Sequence, residues 1–367
     1  MRISVCLGCL LTVMLGWATA ASSEALKTQN VVLIVLDGLR WQEVFNGADP
    51  LLINNEKAGG SWTPLPKLKA EFWADDVQAR RKRVMPFLWG TVAQQGEIFG
   101  NQALGSRAVV TNPFWFSYPG YNEMATGSVD LKIKKNEFGP NPNQTVFGWL
   151  NENPRFQGQV EIFGNWSVFH DIFNSALSHL PIRAGDSLVE RTATTPEARL
   201  LRELYETTTR LEESDPMDSF VQVVLREHLA THHPKVLFVG YGDTDNWGHL
   251  GRYDNVLTAA RSADAFIGAL WAQMQSIPQY RDQTTFIITT DHGRGGGRRL
   301  WREHGVKDPG SENVWIAVMG PDTPALGERS HVATVTQSQI AATVAALVGE
   351  DYLGFNPKAG LPLPIFK

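Results

Sequence analysis

Two apolar runs of this chain end directly in carboxylate residues, and this feature constrains its fold more than any other. The run TTFIITT leads into Asp291, His292 and a glycine-rich turn, and NVVLIVL delivers Asp37 near the start of the chain. Short runs rich in β-branched residues predict buried strands. Because open α/β sheets bind ligands at the carboxyl ends of their strands, these residues predict a functional edge of a sheet.

Three more apolar runs, VEIFG, KVLFVGYG and VWIAVMG, alternate with segments of helical periodicity at 195–213, 218–233, 254–275 and 337–349. This alternation predicts an α/β fold with a mostly parallel central sheet and helices on both faces. A chain of 367 residues that is 43% hydrophobic can bury a large core. We predict one domain over residues 22–367, with an insertion or lid at 47–83, where Pro and Gly interrupt every pattern.

The first 21 residues have the features of a signal peptide. They contain one arginine, an apolar stretch and an Ala-Thr-Ala ending. The apolar stretch is short for a bilayer span, so we expect a periplasmic or secreted protein without a membrane anchor after leader removal. Both cysteines, Cys6 and Cys9, lie in this leader. A mature chain without thiols has no disulfide, no thiolate metal ligand and no cysteine nucleophile.

The charge pattern excludes one class of partner. The net charge is −5, and no basic stripe indicates a nucleic-acid-binding surface. The basic cluster at 80–83 precedes an apolar helix-like segment. Such a cluster predicts a solvated helix face.

A third candidate motif, YGDTDNWGHLGRYD, follows the strand-like run KVLFVG. Asp245 and His249 are four residues apart, so one helical turn would let them face the same ion. Asp243 is an alternative to Asp245 for this position. A polar loop whose aspartates cap the next helix is the simpler interpretation of this segment taken alone.

The three motifs together predict metal ions. Carboxylates that converge from separate strand ends repel one another unless cations hold them. Oxygen and imidazole ligands without thiolates suit Zn²⁺ or Mn²⁺, and the histidines favour two zinc ions. His304, which precedes the last apolar run, is a further candidate ligand.

The nucleophile of such a site would be a hydroxyl group. Ser117 lies in the aromatic and glycine-rich segment NPFWFSYPGYNEMATG, just before a helix-like stretch. A nearby metal can lower the pKa of a serine hydroxyl and activate it. Thr111 is the competing hydroxyl, and an ordinary turn residue is the simpler interpretation of Ser117 alone.

The ordered set LDG, SYPGYNEMATG, DxxGH, TTDHG and a later HG resembles the alkaline phosphatase superfamily. The similarity is greatest to its nucleotide pyrophosphatase/phosphodiesterase and phosphoglycerate-mutase-like branches, and it covers nearly the whole mature chain. It implies a phosphate-ester hydrolase for small molecules that forms a covalent phosphoserine at Ser117. It also implies that Asn136 contacts the phosphoryl group. The implied ligands are Asp37, Ser117, Asp291 and His292 for one metal, and Asp245, His249 and His304 for the other.

Two other functions compete with this interpretation. Sulfatases share the fold, but Tyr121 stands where their motif requires an arginine. A binding protein with structural metals is the non-enzymatic alternative, although all seven implied ligand positions are filled.

Arg40 and Arg294 are candidates for binding a second substrate charge, and the monoester or diester preference is left open.

Overall fold

The structure, a computed structural model, describes residues 26–189, 195–210 and 215–366. The predicted signal peptide at 1–21 lies outside the described residues, as do both cysteines. Within the described ranges, every helix is too short or too polar to cross a membrane.

Eleven strands are formed by the described residues. They are β1 (Asn30–Leu36), β2 (Gly96–Phe99), β3 (Ala108–Val109), β4 (Val160–Gly164), β5 (Ile182–Ala184), β6 (Val236–Tyr241), β7 (Thr284–Thr289), β8 (Asn313–Val314), β9 (Ile316–Met319), β10 (Gly327–Glu328) and β11 (Val335–Thr336). Eight of them form one sheet in the order β10-β2-β9-β7-β1-β6-β4-β5. The strands β11, β3 and β8 form a small second sheet.

The central part of the large sheet is parallel. Strand β1 pairs in parallel with both β6 and β7, and β6 continues in parallel to β4 and β5. Only β9 among the described strands of this sheet runs antiparallel to its neighbours, β7 and β2. The predicted mostly parallel α/β sheet is therefore confirmed.

Seventeen α-helices connect and cover these strands in the described ranges. They are α1 (Trp41–Asn46), α2 (Pro50–Ile53), α3 (Glu56–Gly59), α4 (Leu65–Phe72), α5 (Val77–Val84), α6 (Ala93–Gln95), α7 (Ser117–Thr126), α8 (Val146–Glu152), α9 (Phe169–Ile172), α10 (Ser175–Ser178), α11 (Pro196–Thr207), α12 (Asp218–Leu229), α13 (Asp243–His249), α14 (Tyr253–Ser276), α15 (Gly297–Leu300), α16 (Ile340–Leu347) and α17 (Tyr352–Phe355). One π-helix spans Leu88–Val92, and short 3₁₀ helices span Gln102–Leu104, Gly185–Ser187 and Gln337–Gln339.

Both faces of the sheet are buried, which explains why its strands read as continuous apolar runs. Alternate residues of β1 enter two separate hydrophobic clusters, with Val32 and Ile34 on one face and Val31 and Leu33 on the other. Helix α14 packs on the first face, and α7, α8 and α16 pack on the second. The three-layer arrangement follows from this division.

The predicted elements differ from the structure in detail. The run VWIAVMG is interrupted at Trp315, so that β8 joins the small sheet and β9 the large one. The Trp315 indole donates a hydrogen bond to the carbonyl of Leu39, 3.1 Å away. The helical segment predicted from 337 begins as a 3₁₀ turn and becomes α16 at Ile340.

The prediction that the basic cluster at 80–83 lies on a solvated helix face is wrong for two of its arginines. Arg80 and Arg81 are only 7% and 6% exposed. Arg80 Nε donates to the carbonyl of Asn46, while Arg81 pairs with Glu328 at 2.9 Å and lies over the Trp89 ring. Partners distant in sequence thus offset the cost of burying these cations.

Residues 47–83, predicted to be an insertion or lid, lie in α2, α3, α4 and the greater part of α5. Their apolar side chains, among them Leu52, Ile53, Leu68 and Phe72, join the first hydrophobic cluster. The segment is thus packed against the sheet layer, and its role as a lid stays a prediction.

A close backbone approach holds α7 against the end of β7. A Cβ added at Gly120 would lie 2.5 Å from the carbonyl oxygen of Asp291. This distance is shorter than any normal contact, so only glycine fits here.

We therefore expect Gly120→Ala to lower the free energy of unfolding by about 1–3 kcal/mol, the usual cost of overpacking. Urea denaturation measures this change. Gly90→Ala is the matched control, because an added Cβ at Gly90 meets nothing within 4 Å. Equal stabilities of the Gly120→Ala variant and the unsubstituted chain would contradict the close-packing argument.

Candidate metal centre

Three carboxylates converge at the carboxyl ends of three neighbouring strands. Asp37 follows β1, Asp291 follows β7, and Asp245 lies in the first turn of α13, which begins soon after β6. The strand order β7-β1-β6 places them side by side. This edge of the sheet is where ligands bind in parallel α/β folds.

The first group consists of Asp37, Asp291 and His292. His292 Nε2 lies 3.3 Å from Asp37 Oδ1 and 3.5 Å from Asp291 Oδ2. The potential ligand atoms of the three residues all lie within 4.8 Å of one another. The Ser117 hydroxyl oxygen lies 3.3 Å from the same His292 nitrogen. The structure therefore brings together all four residues of the first implied ligand set.

The second group adjoins the first and contains Asp245, His249 and His304. His249 Nε2 lies 3.1 Å from Asp245 Oδ2 and 2.9 Å from His304 Nε2. His304 Nε2 is 3.8 Å from Asp245 Oδ1. Asp245 Oδ1 is also 3.8 Å from His292 Nε2, so the two groups are contiguous.

The alternative between Asp243 and Asp245 is decided by the direction of their side chains. Asp245 lies among the histidines, whereas Asp243 lines a different cavity with Asp218. The two residues are two positions apart on α13, so their side chains leave the helix in different directions. Asp245 is therefore the carboxylate of the second group.

The carboxylates of this cluster repel one another, and a positive charge among them would offset that repulsion. Burial and the neighbouring carboxylate of Asp245 raise the pKa of Asp37, and burial and Asp37 raise that of Asp291 well above its usual range. Burial lowers the pKa of the His292 imidazole, but the surrounding carboxylates raise it by more. The pKa of His292 is therefore raised to about 9. Asp37 Oδ1 and Asp291 Oδ2 are buried without a hydrogen bond from any described residue. Unpaired buried oxygens beside imidazole nitrogens fit divalent cations.

Ser117 is the first residue of α7 and is presented by a strained turn. Trp115 has a φ of +57°, a conformation that costs a non-glycine residue about 1 kcal/mol. Asn112 holds this turn, because its Oδ1 accepts the backbone N–H groups of Phe114 and Trp115 at 3.0 Å. The competing hydroxyl, Thr111, instead donates to the Glu123 carboxylate at 2.8 Å. The Thr111 hydroxyl is thus bonded to a carboxylate, whereas the Ser117 hydroxyl lies beside His292.

A polar cavity of about 200 Å³ opens beside this hydroxyl. Asn136 lines it, and its Oδ1 accepts the Tyr118 backbone N–H at 3.1 Å. This bond orients the amide and leaves its Nδ2 group without a hydrogen bond to any described residue. The other lining residues are Asp37, Ser117, Asn165, Trp166, Asp215, Gly242, Asp245, Asn246 and His249.

The two arginines considered for a second substrate charge are already paired. Arg40 is buried and bonds with the carboxylates of Glu43 and Asp49. Arg294, 2% exposed, pairs with the Asp245 carboxylate and donates to its carbonyl at 2.9 Å. Burial would raise the pKa of Asp245, yet Arg294 and the histidines hold it well below its usual range. The expectation that either arginine is available to bind a substrate anion is therefore not supported.

The structure adds several residues to those that the sequence motifs predict. Tyr121, at the position of the sulfatase arginine, donates its hydroxyl to Asp37 Oδ2 at 2.9 Å. Asn165 and Asp215 line the cavity but belong to no motif identified above. Asn165 follows β4, the next strand in the sheet, so its position could have been found from the strand-end rule alone.

These features define a class of protein: an alkaline phosphatase-like α/β hydrolase with an Asp/His group suited to metal ions. The chain belongs to the type I phosphodiesterase / nucleotide pyrophosphatase family, whose model matches residues 60–309, about two thirds of the chain. This match includes six of the seven predicted ligand positions and leaves out Asp37. No curated protein sequence matches the chain.

Solved structures confirm the fold at low sequence identity. An alkaline phosphatase PafA variant is 9% identical, with 94% of this chain and 100% of that chain covered and a TM-score of 0.55. A phosphonate monoester hydrolase from Silicibacter pomeroyi is 13% identical, with coverages of 92% and 76% and a TM-score of 0.52. A putative sulfatase from Bacteroides thetaiotaomicron is 14% identical, with coverages of 88% and 71% and a TM-score of 0.54. Phosphate- and sulfate-ester hydrolases thus share this architecture.

The Tyr121–Asp37 hydrogen bond is expected to orient the Asp37 carboxylate for metal binding. A partner that orients a ligand carboxylate typically contributes ten- to hundredfold to metal affinity, so we expect Tyr121→Phe to weaken zinc binding by about that factor. Competition with a chromophoric chelator measures the affinity. Tyr118→Phe is the matched control, since it removes a hydroxyl bonded to the Gly139 carbonyl at 2.6 Å. Equal zinc affinities for the two variants would contradict a role for Tyr121 in orienting Asp37.

Proposed function

We propose that this protein hydrolyses small phosphate esters, with Ser117 as the nucleophile. The observation that supports this most is the position of the Ser117 hydroxyl oxygen, 3.3 Å from His292 Nε2 and at the wall of a polar cavity. The nucleophile, the two Asp/His groups and the open space for a substrate therefore adjoin one another. Family membership supports the same reaction class.

Two divalent ions would be held by the two groups, zinc being favoured by the imidazole nitrogens and Mn²⁺ also possible. The first set is Asp37, Ser117, Asp291 and His292, and the second is Asp245, His249 and His304. When bound, such ions supply the positive charge that offsets the entering and leaving oxygens of an in-line displacement.

The reaction proceeds in two displacements at phosphorus. In the first, Ser117 Oγ forms a bond to phosphorus, and the bond from phosphorus to the leaving oxygen breaks. The alcohol product carries away one proton in place of the hydroxyl proton that Ser117 loses. In the second, water attacks the phosphoserine, the bond to Oγ breaks, and the serine hydroxyl is restored.

Asn136 is proposed to hold a phosphoryl oxygen. Its Oδ1 is already used by the Tyr118 backbone N–H, and this fixes the amide at the cavity wall. The Nδ2 group can then donate to an oxygen that gains charge in the transition state. A sulfatase reaction is less well supported, because Tyr121 bonds with Asp37 where that motif needs an arginine.

The protein is also proposed to act outside the cytoplasm. The leader-like sequence at 1–21 supports export, and zinc loading would then take place in the periplasm or after secretion. This part of the proposal is independent of the catalytic residues.

We expect the zinc-loaded chain to release p-nitrophenol from a phosphate monoester or diester faster than from a sulfate. Ser117→Ala should lower kcat/KM by about ten-thousandfold, as removal of a nucleophile does. Zinc analysis of the variant is the control for an intact centre. Dominant sulfate turnover, or phosphate turnover that survives in Ser117→Ala, would overturn the proposed function.

The Nδ2 group of Asn136 is expected to contribute to the rate of hydrolysis. Asn136→Asp keeps the acceptor for the Tyr118 N–H group but removes the Nδ2 donor, so kcat should fall by about a hundredfold. Steady-state kinetics with the preferred p-nitrophenyl ester measures the change. Asn136→Ala removes both groups and should be at least as impaired. Wild-type kcat in Asn136→Asp would show that the side chain only positions α7.

A further inference from the structure

A second pair of buried carboxylates lies beside the centre described above. Asp218 begins α12 and Asp243 begins α13, and they are only 5% and 8% exposed. Asp218 accepts the backbone N–H groups of Gly242 at 2.9 Å and of Asp243 at 3.2 Å. The two acidic side chains are therefore neighbours in a region of low solvent access.

Asp218 is bonded through both of its oxygens, whereas Asp243 has an oxygen without a partner within the described ranges. Asp243 Oδ1 is buried and accepts no hydrogen bond from any described residue. The hydroxyl of Tyr241, which lies just before this turn, is likewise buried and unbonded in the described part of the chain. No described lysine, arginine or histidine forms an ion pair with Asp218 or Asp243. A buried carboxylate without a partner is costly, and a second one beside it adds repulsion.

Both carboxylates line a cavity that is distinct from the one beside Ser117. Its wall carries further side-chain oxygens from α12 and α14, namely those of Ser219, Gln222, Thr258 and Ser262. No histidine or cysteine is among its lining residues. Oxygen-only surroundings suit hard cations, whereas zinc prefers the nitrogen-containing groups of the first centre.

We propose that Asp218 and Asp243 bind a hard divalent cation, Ca²⁺ or Mg²⁺, in this second cavity. The cation bonds to the unpaired Oδ1 of Asp243 and to the Asp218 carboxylate. Side-chain oxygens of the wall and water complete its coordination. This inference goes beyond the proposed hydrolysis and does not rest on it.

The site has a structural consequence for the first centre. Helix α13 carries Asp243 toward the second cavity and Asp245 toward the histidines within one turn. Thr244, between them, donates its hydroxyl to the carbonyl of Asp37 at 2.5 Å. A cation on Asp243 therefore anchors the turn that positions Asp245.

Calorimetric titration of the zinc-loaded full chain with CaCl₂, and separately with MgCl₂, tests the proposal. Zinc loading keeps the first centre occupied. We expect one binding event per chain for at least one of the two cations, and a higher Tm in its presence, as linkage requires. Asp243→Asn and Asp218→Asn should each weaken that binding by about tenfold or more, since each removes one ligand charge.

Asp291→Asn is the matched control, because it removes a buried carboxylate from the first centre only. It should leave the Ca²⁺ or Mg²⁺ isotherm unchanged even if hydrolysis is lost, which separates this site from the proposed function. Absence of binding by the unsubstituted chain would overturn the proposal without any variant. Binding that persists in both Asp243→Asn and Asp218→Asn, or that is lost in Asp291→Asn, would also overturn it.

Discussion

Repulsion among the carboxylates of Asp37, Asp245 and Asp291 is the interaction on which the rest of the site depends. Parallel strands end at one edge of a sheet, so the acidic residues that follow β7, β1 and β6 are brought together by the topology itself. Their burial amplifies the repulsion, because solvent no longer screens it. The surrounding groups are arranged to offset this charge, with His292 between two of the carboxylates and Arg294 on the third.

The proposed nucleophile, Ser117, is positioned by the same edge of the sheet. Helix α7 lies against the Asp291 backbone at Gly120, and its first residue, Ser117, therefore has little freedom to move away from His292. The strained backbone of Trp115 is maintained by Asn112, which is itself bonded to the buried Glu123. Strain of this kind persists only where the surrounding contacts over-determine the conformation.

The sequence predicted the fold class, the main strands and the residues at the strand ends, because each of these has a local pattern. An apolar run followed by an aspartate is visible without knowledge of the partners of the strand. The direction of Asp243 could not be predicted, since it depends on how α12 and α14 pack against α13. The burial of Arg81 was missed for the same reason, as its partners Glu328 and Trp89 come from distant segments. Long-range partners such as Tyr121 for Asp37 leave no periodic signal.

The ion pair between Arg294 and Asp245 makes the two Asp/His groups electrically unequal. Asp37 and Asp291 together bring two carboxylates to one group, whereas the single carboxylate of the other is already neutralised by a guanidinium. A divalent ion would therefore meet more carboxylate charge at the first group than at the second. We therefore expect the two proposed metal ions to bind with unequal affinities, the tighter one at the group that contains Asp37 and Asp291.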